Sequence, residues 1–180
     1  HTVSGESIAN GNMLVDKGHI VALGSQFAIP ANAKVIDVSG KHIYPGMIAA
    51  NTVMGLAEVQ SVRATLDYAE AGAINPNARA LVAVNPDSEL ITTARANGVL
   101  ATLSVPNSPA GLINGTSALI QLDGWTWEEM SVQSEVGLHI SLPNLRFNPE
   151  LFPAPFDSRL EEIRKASAQR LKMLEEAFDS

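Results

Sequence analysis

The chain has 180 residues, a formal net charge of −7, 46% hydrophobic and 17% charged residues, and no cysteine. That balance is ordinary for a soluble globular domain with a real core. An acidic chain without a basic stripe argues against nucleic acid and anionic membrane surfaces as partners, because both call for clustered Lys and Arg. The missing cysteines exclude disulfides, thiolate zinc sites and a Cys nucleophile, and leave the compartment open between a bacterial-type cytoplasm and a periplasm.

No charged-then-apolar leader opens at His1. The chain starts inside a strand-like run, so the expectation is that a leader was removed upstream. The longest mostly apolar stretch, residues 43–57, is interrupted by Pro45, Gly46, Asn51 and Gly55. It is too short and too broken to span a bilayer.

Residues 1–44 read as short strands joined by tight turns. Asn10-Gly11 is a hairpin signal. Residues 12–16 and 19–23 are apolar runs split by Asp16-Lys17-Gly18, and residues 33–38 form a further strand pattern between Pro30 and Ser39-Gly40. The pattern then changes. Residues 43–53 are nearly continuously apolar, as in strands buried on both faces of a parallel sheet. Residues 57–71 suit a helix or a long excursion, and Asn75-Pro76-Asn77 breaks it. Residues 78–84 and 88–96 read as short helices, with Ser88 as N-cap and Gly98 as C-cap glycine of the second.

Residues 99–105 and 116–122 are apolar strands on either side of a Pro-, Gly-, Asn- and Ser-rich loop, Pro106 to Gly115. Residues 125–130 suit a helical turn, residues 136–142 a strand, and residues 143–155 a Pro- and Asn-rich linker. Residues 158–178 carry the clearest helix pattern. Ser158 and Glu161 fit a capping box, and Leu160, Ile163, Leu171, Leu174 and Phe178 fall mostly on one stripe.

Strands alternating with helices after a β-rich start indicate α/β architecture. A (β/α)₈ barrel takes about 250 residues. The 136 residues beyond position 44 correspond to about four βα units of roughly 30 residues each. Half a barrel leaves an open edge and an exposed core, so the expectation is a fragment or one piece of a larger protein.

Three stretches carry a family resemblance. Gly18 to Gly24 (GHIVALG) looks like the hairpin that opens the small β-sandwich of the amidohydrolase superfamily. Val35 to Ile48 (VIDVSGKHIYPGMI) resembles the family signature leading into barrel strand one. Segments between Arg63 and Trp127, among them Asn75-Pro76, Asn85-Pro86-Asp87-Ser88, Arg95-Ala96-Asn97-Gly98 and Gln121-Leu122-Asp123-Gly124-Trp125, are similar to an uncharacterised branch related to imidazolonepropionase. The resemblance implies a small β-sandwich, residues 1–44, followed by the first part of a TIM-like barrel, residues 45–180, incomplete in this chain and ending in an amphipathic helix. It implies hydrolysis of a small-molecule C–N bond by the parent protein.

One departure bears on the chemistry. The family pattern Pro-Gly-hydrophobic-Ile-Asp-x-His-x-His sets two histidines on alternate positions of strand one, and a strand of period two points both into the barrel mouth. Neutral imidazoles there hold Zn²⁺ and leave room for a water whose pKa the metal lowers. In this chain the matching residues are Ala49 for the Asp, Asn51 for the first His and Val53 for the second. Valine has no donor atom, and a side-chain amide suits Ca²⁺ or Mg²⁺ better than zinc. The expectation is no cofactor held by this chain and no metal site on it.

The remaining candidates have ordinary and functional readings. Asn51 and Thr52 either orient a substrate at the barrel mouth or hydrogen-bond the strand end. Glu58 follows strand one, where barrel enzymes carry functional groups, and acts as acid or base or is a solvated or salt-bridged carboxylate. His139 is a ligand from a later strand or a hydrogen-bonded interior histidine. His19 and His42 are structural or exposed. The Pro106 to Gly115 loop is a lid, or simply a loop, and lacks the Gly-Lys-Ser/Thr of a P-loop. Trp125 and Trp127 stack a ligand or pack in the core. The C-terminal helix packs on its own domain or docks a partner. The partners left open are a small-molecule substrate, the rest of the parent protein or a second chain completing the barrel, and a homo-oligomer. The alternative to a hydrolase is an inactive amidohydrolase-fold protein that binds a ligand or partner.

Overall fold

A computed structural model describes residues 1–143 and 157–179. They divide into two compact units, His1–Gly46 and Met47–Ser180.

The first unit contains one antiparallel hairpin, β1 (Asn12–Asp16) and β2 (His19–Gly24). Its two-residue turn is Lys17-Gly18, with φ of 48° and 78°. Positive φ at both central residues is the turn geometry whose twist matches the flanking strands. Asn10-Gly11 is not that turn. It precedes β1, and Asn10 itself has φ of 51°.

Residues 33–38 form no strand. Val35 and Ile36 are both largely exposed, and a β pattern becomes a strand only where a neighbour pairs with its backbone. The segment ends in a local turn instead. Asp37 Oδ1 accepts from the Ser39 backbone N–H at 2.8 Å and from Ser39 Oγ at 2.6 Å. These bonds, the hydroxyl's first, hold the Asp37 carboxyl below its ordinary value.

The second unit is built on a four-stranded sheet in the order β3-β4-β5-β6, formed by β3 (Met47–Thr52), β4 (Val99–Ser104), β5 (Ile113–Gln121) and β6 (Ser131–Ile140). β3 and β4 are parallel, and both β5 and β6 pair antiparallel with their neighbours. The expected run of parallel strands therefore gives way after one βαβ unit. The cause is chain length. β4 and β5 are joined by eight residues, 105–112, and a parallel return needs a crossover of a dozen or more.

β3 lies at the sheet edge, and Met47 and Ile48 are exposed. It is not the doubly buried strand its composition suggests, because no strand pairs with its outer side among the described residues. The excursion after β3 holds two short 3₁₀ turns, Arg63–Thr65 and Ala80–Ala83, rather than a helix over 57–71 or 78–84.

Helix α1 (Glu89–Ala96) stops at Asn97 and Gly98, the latter at φ of 88°. Its Arg95 donates to Leu122 O at 3.1 Å and pairs with Asp123, which ties the helix to the end of β5. A single helical turn, α2 (Trp127–Met130), connects β5 to β6. The core sits between the sheet, α1 and the excursion, with Leu56, Leu81, Val84, Ile91, Ile120, Leu122 and Met130 buried together.

Helix α3 (Asp157–Asp179) closes the unit. Its buried positions are Leu160, Ser167 and Leu174, seven residues apart, while Ile163 and Phe178 are exposed. The stripe is therefore narrower than its apolar residues suggest, and Leu174 packs with Leu112 and Ile113. The capping role expected of the Ser158 side chain, and the linker from 144 on, lie outside the described residues. No described helix is long and apolar enough to cross a membrane.

Candidate functional site

The C-terminal end of β3 and the loop behind it form the candidate site. Asn51 has φ of 72°. That is the left-handed region, where Asn is among the few tolerated side chains. The β3–β4 register is irregular over the same stretch, between Ala49 and Thr52. Strict alternation thus breaks at Asn51, and Val53 lies beyond the end of the strand.

Thr52 carries most of the anchoring. Its carbonyl accepts from Val105 N at 2.7 Å. Its hydroxyl lies 2.6 Å from Thr102 Oγ1, which in turn donates to Ala49 O at 3.0 Å. Met54 N donates to Thr52 Oγ1 at 3.2 Å. One proton arrangement satisfies all three bonds. Met54 N–H donates to Thr52, Thr52 donates to Thr102, and Thr102 donates to Ala49. Thr102 and Ser104 are fully buried, and Ser104 Oγ donates to Met54 O at 2.7 Å.

Glu58 is half-buried and forms no ion pair among the described residues. Its Oε2 accepts from Ser88 Oγ at 2.9 Å and its Oε1 from Asn85 Nδ2 at 3.3 Å. Ser88 stands at the N-cap of α1 without capping it through its side chain, because its hydroxyl is spent on Glu58. A carboxylate one turn ahead of a helix N-terminus is also favourably placed toward the helix dipole. Glu58 therefore fastens the β3 loop to α1.

His139 is not part of this cluster. It lies on β6, opposite Gly115 and three strand positions from β3, or about 14 Å at roughly 4.8 Å per strand. Its ring is half-buried with no hydrogen bond among the described residues, so it is not the hydrogen-bonded interior histidine expected. Burial lowers its pKa from the ordinary value. His42 and His19 lie in the first unit, where His42 Nδ1 is 2.9 Å from His1 Nε2.

Trp125 is 88% exposed and so is not a core residue, whereas Trp127 packs against the core. The Pro106 to Gly115 loop is no free lid. Pro106, Ser108 and residues 111–115 are buried. Thr102 and Ser88 were not among the sequence candidates. A lone Thr in an apolar strand gives no sign that it will face a second Thr 50 residues away.

Zinc fits poorly at the end of β3. Ala49 and Val53 offer no donor, and Asn51 offers a neutral amide from a left-handed backbone. Among the described residues, no three His, Asp or Glu side chains converge into a group that could hold a metal ion.

Comparison with solved structures supports a relationship of this chain to the amidohydrolase fold. The particular relative is a solved amidohydrolase from Thermotoga maritima MSB8, to which this chain is similar with a TM-score of 0.66 and 29% sequence identity over 71% of its residues. The chain spans about a third of that protein's length, 33%. No protein-family model matches the sequence. No curated protein matches it either.

Proposed function

We propose that the parent protein hydrolyses a non-peptide or small-molecule C–N bond, and that this chain supplies the N-terminal part of a β-sandwich and the first part of a TIM-like barrel. The observation that carries this reading is the fold match to the Thermotoga amidohydrolase. The parallel β3-α1-β4 unit is the building block of such a barrel. The exposed apolar residues of β1 and β2, Val15, Ile20 and Leu23, want the further strands of a sandwich. Similarity of the 63–127 region to the imidazolonepropionase-related branch directs attention to cyclic imides and related amides.

In this reading the residues around β3 shape and hold the barrel mouth. Thr52 and Thr102 fix the strand end, Glu58 fixes the loop behind it, and Asn51 presents its amide to a substrate. None of them moves a proton through a metal.

A second reading is favoured by the composition of β3 itself. A first strand with Ala49, Asn51 and Val53 suits a barrel that binds a ligand and no longer turns it over. The two are separated by assaying the full-length parent against amides, dipeptides and cyclic imides, with and without added zinc or manganese. Turnover that grows with enzyme concentration supports the hydrolase. Saturable binding of the same compounds without turnover under any metal condition overturns it in favour of the binder.

A further inference from the structure

A cavity of about 370 Å³ opens where the β4–β5 loop, the end of β6 and helix α3 meet. It lies at the end of the sheet where β3, β4 and β6 finish, since Ile140 of β6 pairs with Ile113 at the start of β5. It is an open depression rather than an enclosed cavity, with room for a ligand of a few heavy atoms. One wall is Arg170, and the hydroxyls of Ser108, Ser141 and Ser167 line it with the apolar Leu142 and Pro143.

Arg170 is unusual within the chain. One guanidinium nitrogen, Nη2, donates to Gly111 O at 2.9 Å and to Ala110 O at 3.2 Å, which clamps the loop. Its Nε is sealed from solvent and has no acceptor. Among the described residues Arg170 forms no ion pair, and no Asp or Glu lines the cavity. A half-buried cation with no counter-charge among the described residues favours an anion beside it. Ser141 is prepared in a complementary way. Its Oγ accepts from Asn114 Nδ2 at 2.8 Å, which leaves its own proton free to donate.

We propose that this cavity binds a small aliphatic carboxylate, with the Arg170 guanidinium and the Ser141 hydroxyl on the carboxylate oxygens and Leu142 and Pro143 against the alkyl chain. With Nη2 spent on the two carbonyls and Nε sealed, Nη1 carries the contact, and a guanidinium N–H suits both carboxylate and phosphate oxygens. One arginine with no lysine beside it, in a chain of net charge −7, favours the monoanion over the dianion. The site does not depend on any hydrolase activity, and it gives the Pro106 to Gly115 loop a binding role.

The test uses the full-length parent protein with butanoate, butanamide and inorganic phosphate as probes, read by saturation-transfer NMR and by thermal shift. Butanoate is expected to bind with a Kd on the order of 1 mM, as befits a ligand of few atoms, and butanamide at least tenfold more weakly. Arg170→Met should weaken butanoate at least tenfold and Ser141→Ala severalfold. Leu142→Trp, which fills the cavity and leaves the arginine clamp intact, should abolish binding. It carries the test if circular dichroism shows Arg170→Met to be unfolded. Equal binding of butanamide, tighter binding of phosphate, absence of butanoate binding, or butanoate binding that survives Leu142→Trp would each overturn the proposal.

Discussion

Thr102 is fully buried inside a sheet, and its hydroxyl is tolerated there because both its donor and its acceptor capacity are used. Replacing it with valine keeps the shape and removes the oxygen. The Ala49 carbonyl would lose the Thr102 donor and the Thr52 hydroxyl would fall back on the longer contact to Leu103 O at 3.4 Å, and a buried polar group left unsatisfied costs about 1–3 kcal/mol. Thr102→Val is therefore expected to lower the urea unfolding free energy by roughly 2 kcal/mol, and a change below about 0.5 would show that the chain of hydroxyls does not anchor β3. His139 predicts a pH effect. Its folded pKa lies below the ordinary histidine value because burial disfavours the charged ring. The unfolded chain then binds the proton more readily. The stability due to the neutral ring is fully present above an unfolded pKa of about 6.5 and is lost as pH falls through that value toward the folded pKa. Comparing unfolding midpoints of the wild type and His139→Phe between pH 8 and pH 5 should show the wild type losing more stability on acidification. Parallel curves would contradict it. The Asn51 identity was readable in sequence and its left-handed backbone was not, because a positive φ in a strand follows from the β3–β4 register.

At the level of elements, most boundaries were legible because turn chemistry is local. Lys17-Gly18 sets a hairpin and Gly98 a helix end through positive φ angles that few other residues adopt. The direction of β5 was also legible in principle, since the connection after β4 is too short for a parallel return. Apolar composition pointed to a parallel strand and connection length overrules it. Residues 33–38 show the opposite limit, for whether a β pattern pairs depends on a neighbour and not on the pattern. Gly115 marks where β5 passes closest to another segment. It has φ of 106°, and a Cβ there would stand 2.4 Å from Ala78 O, next to the Thr116 N–H bond to that same carbonyl at 2.8 Å. Gly115→Ala is expected to destabilise the second unit by about 3 kcal/mol or more through backbone strain and displacement. A midpoint shift in chemical denaturation no larger than that of Gly137→Ala, where the added methyl meets nothing within 4 Å, would contradict this.

For the whole molecule, the resemblance seen in the Pro45-Gly46 region and the match to the Thermotoga amidohydrolase point to the same fold. They reach it by different routes, one through a short signature and the other through the path of the chain. The site chemistry was less legible. The identities of Asn51 and Val53 are visible in sequence, whereas the bonds that hold the strand end link Thr52 to Thr102 and Glu58 to Ser88 across 50 and 30 positions. Exposed apolar residues at both sheet edges, Ile48 on β3 and Val132, Leu138 and Ile140 on β6, leave room for further strands and fit a chain that spans a third of its structural relative. The central proposal is that the first strand of this amidohydrolase-like fold, with Ala49, Asn51 and Val53, holds no metal. Anomalous diffraction from crystals of the full-length parent equilibrated with zinc tests it most directly. The expected result is no zinc within coordination distance, about 2.2 Å, of Asn51 or of any other β3 atom. A zinc peak at that distance from the Asn51 side chain would contradict the claim.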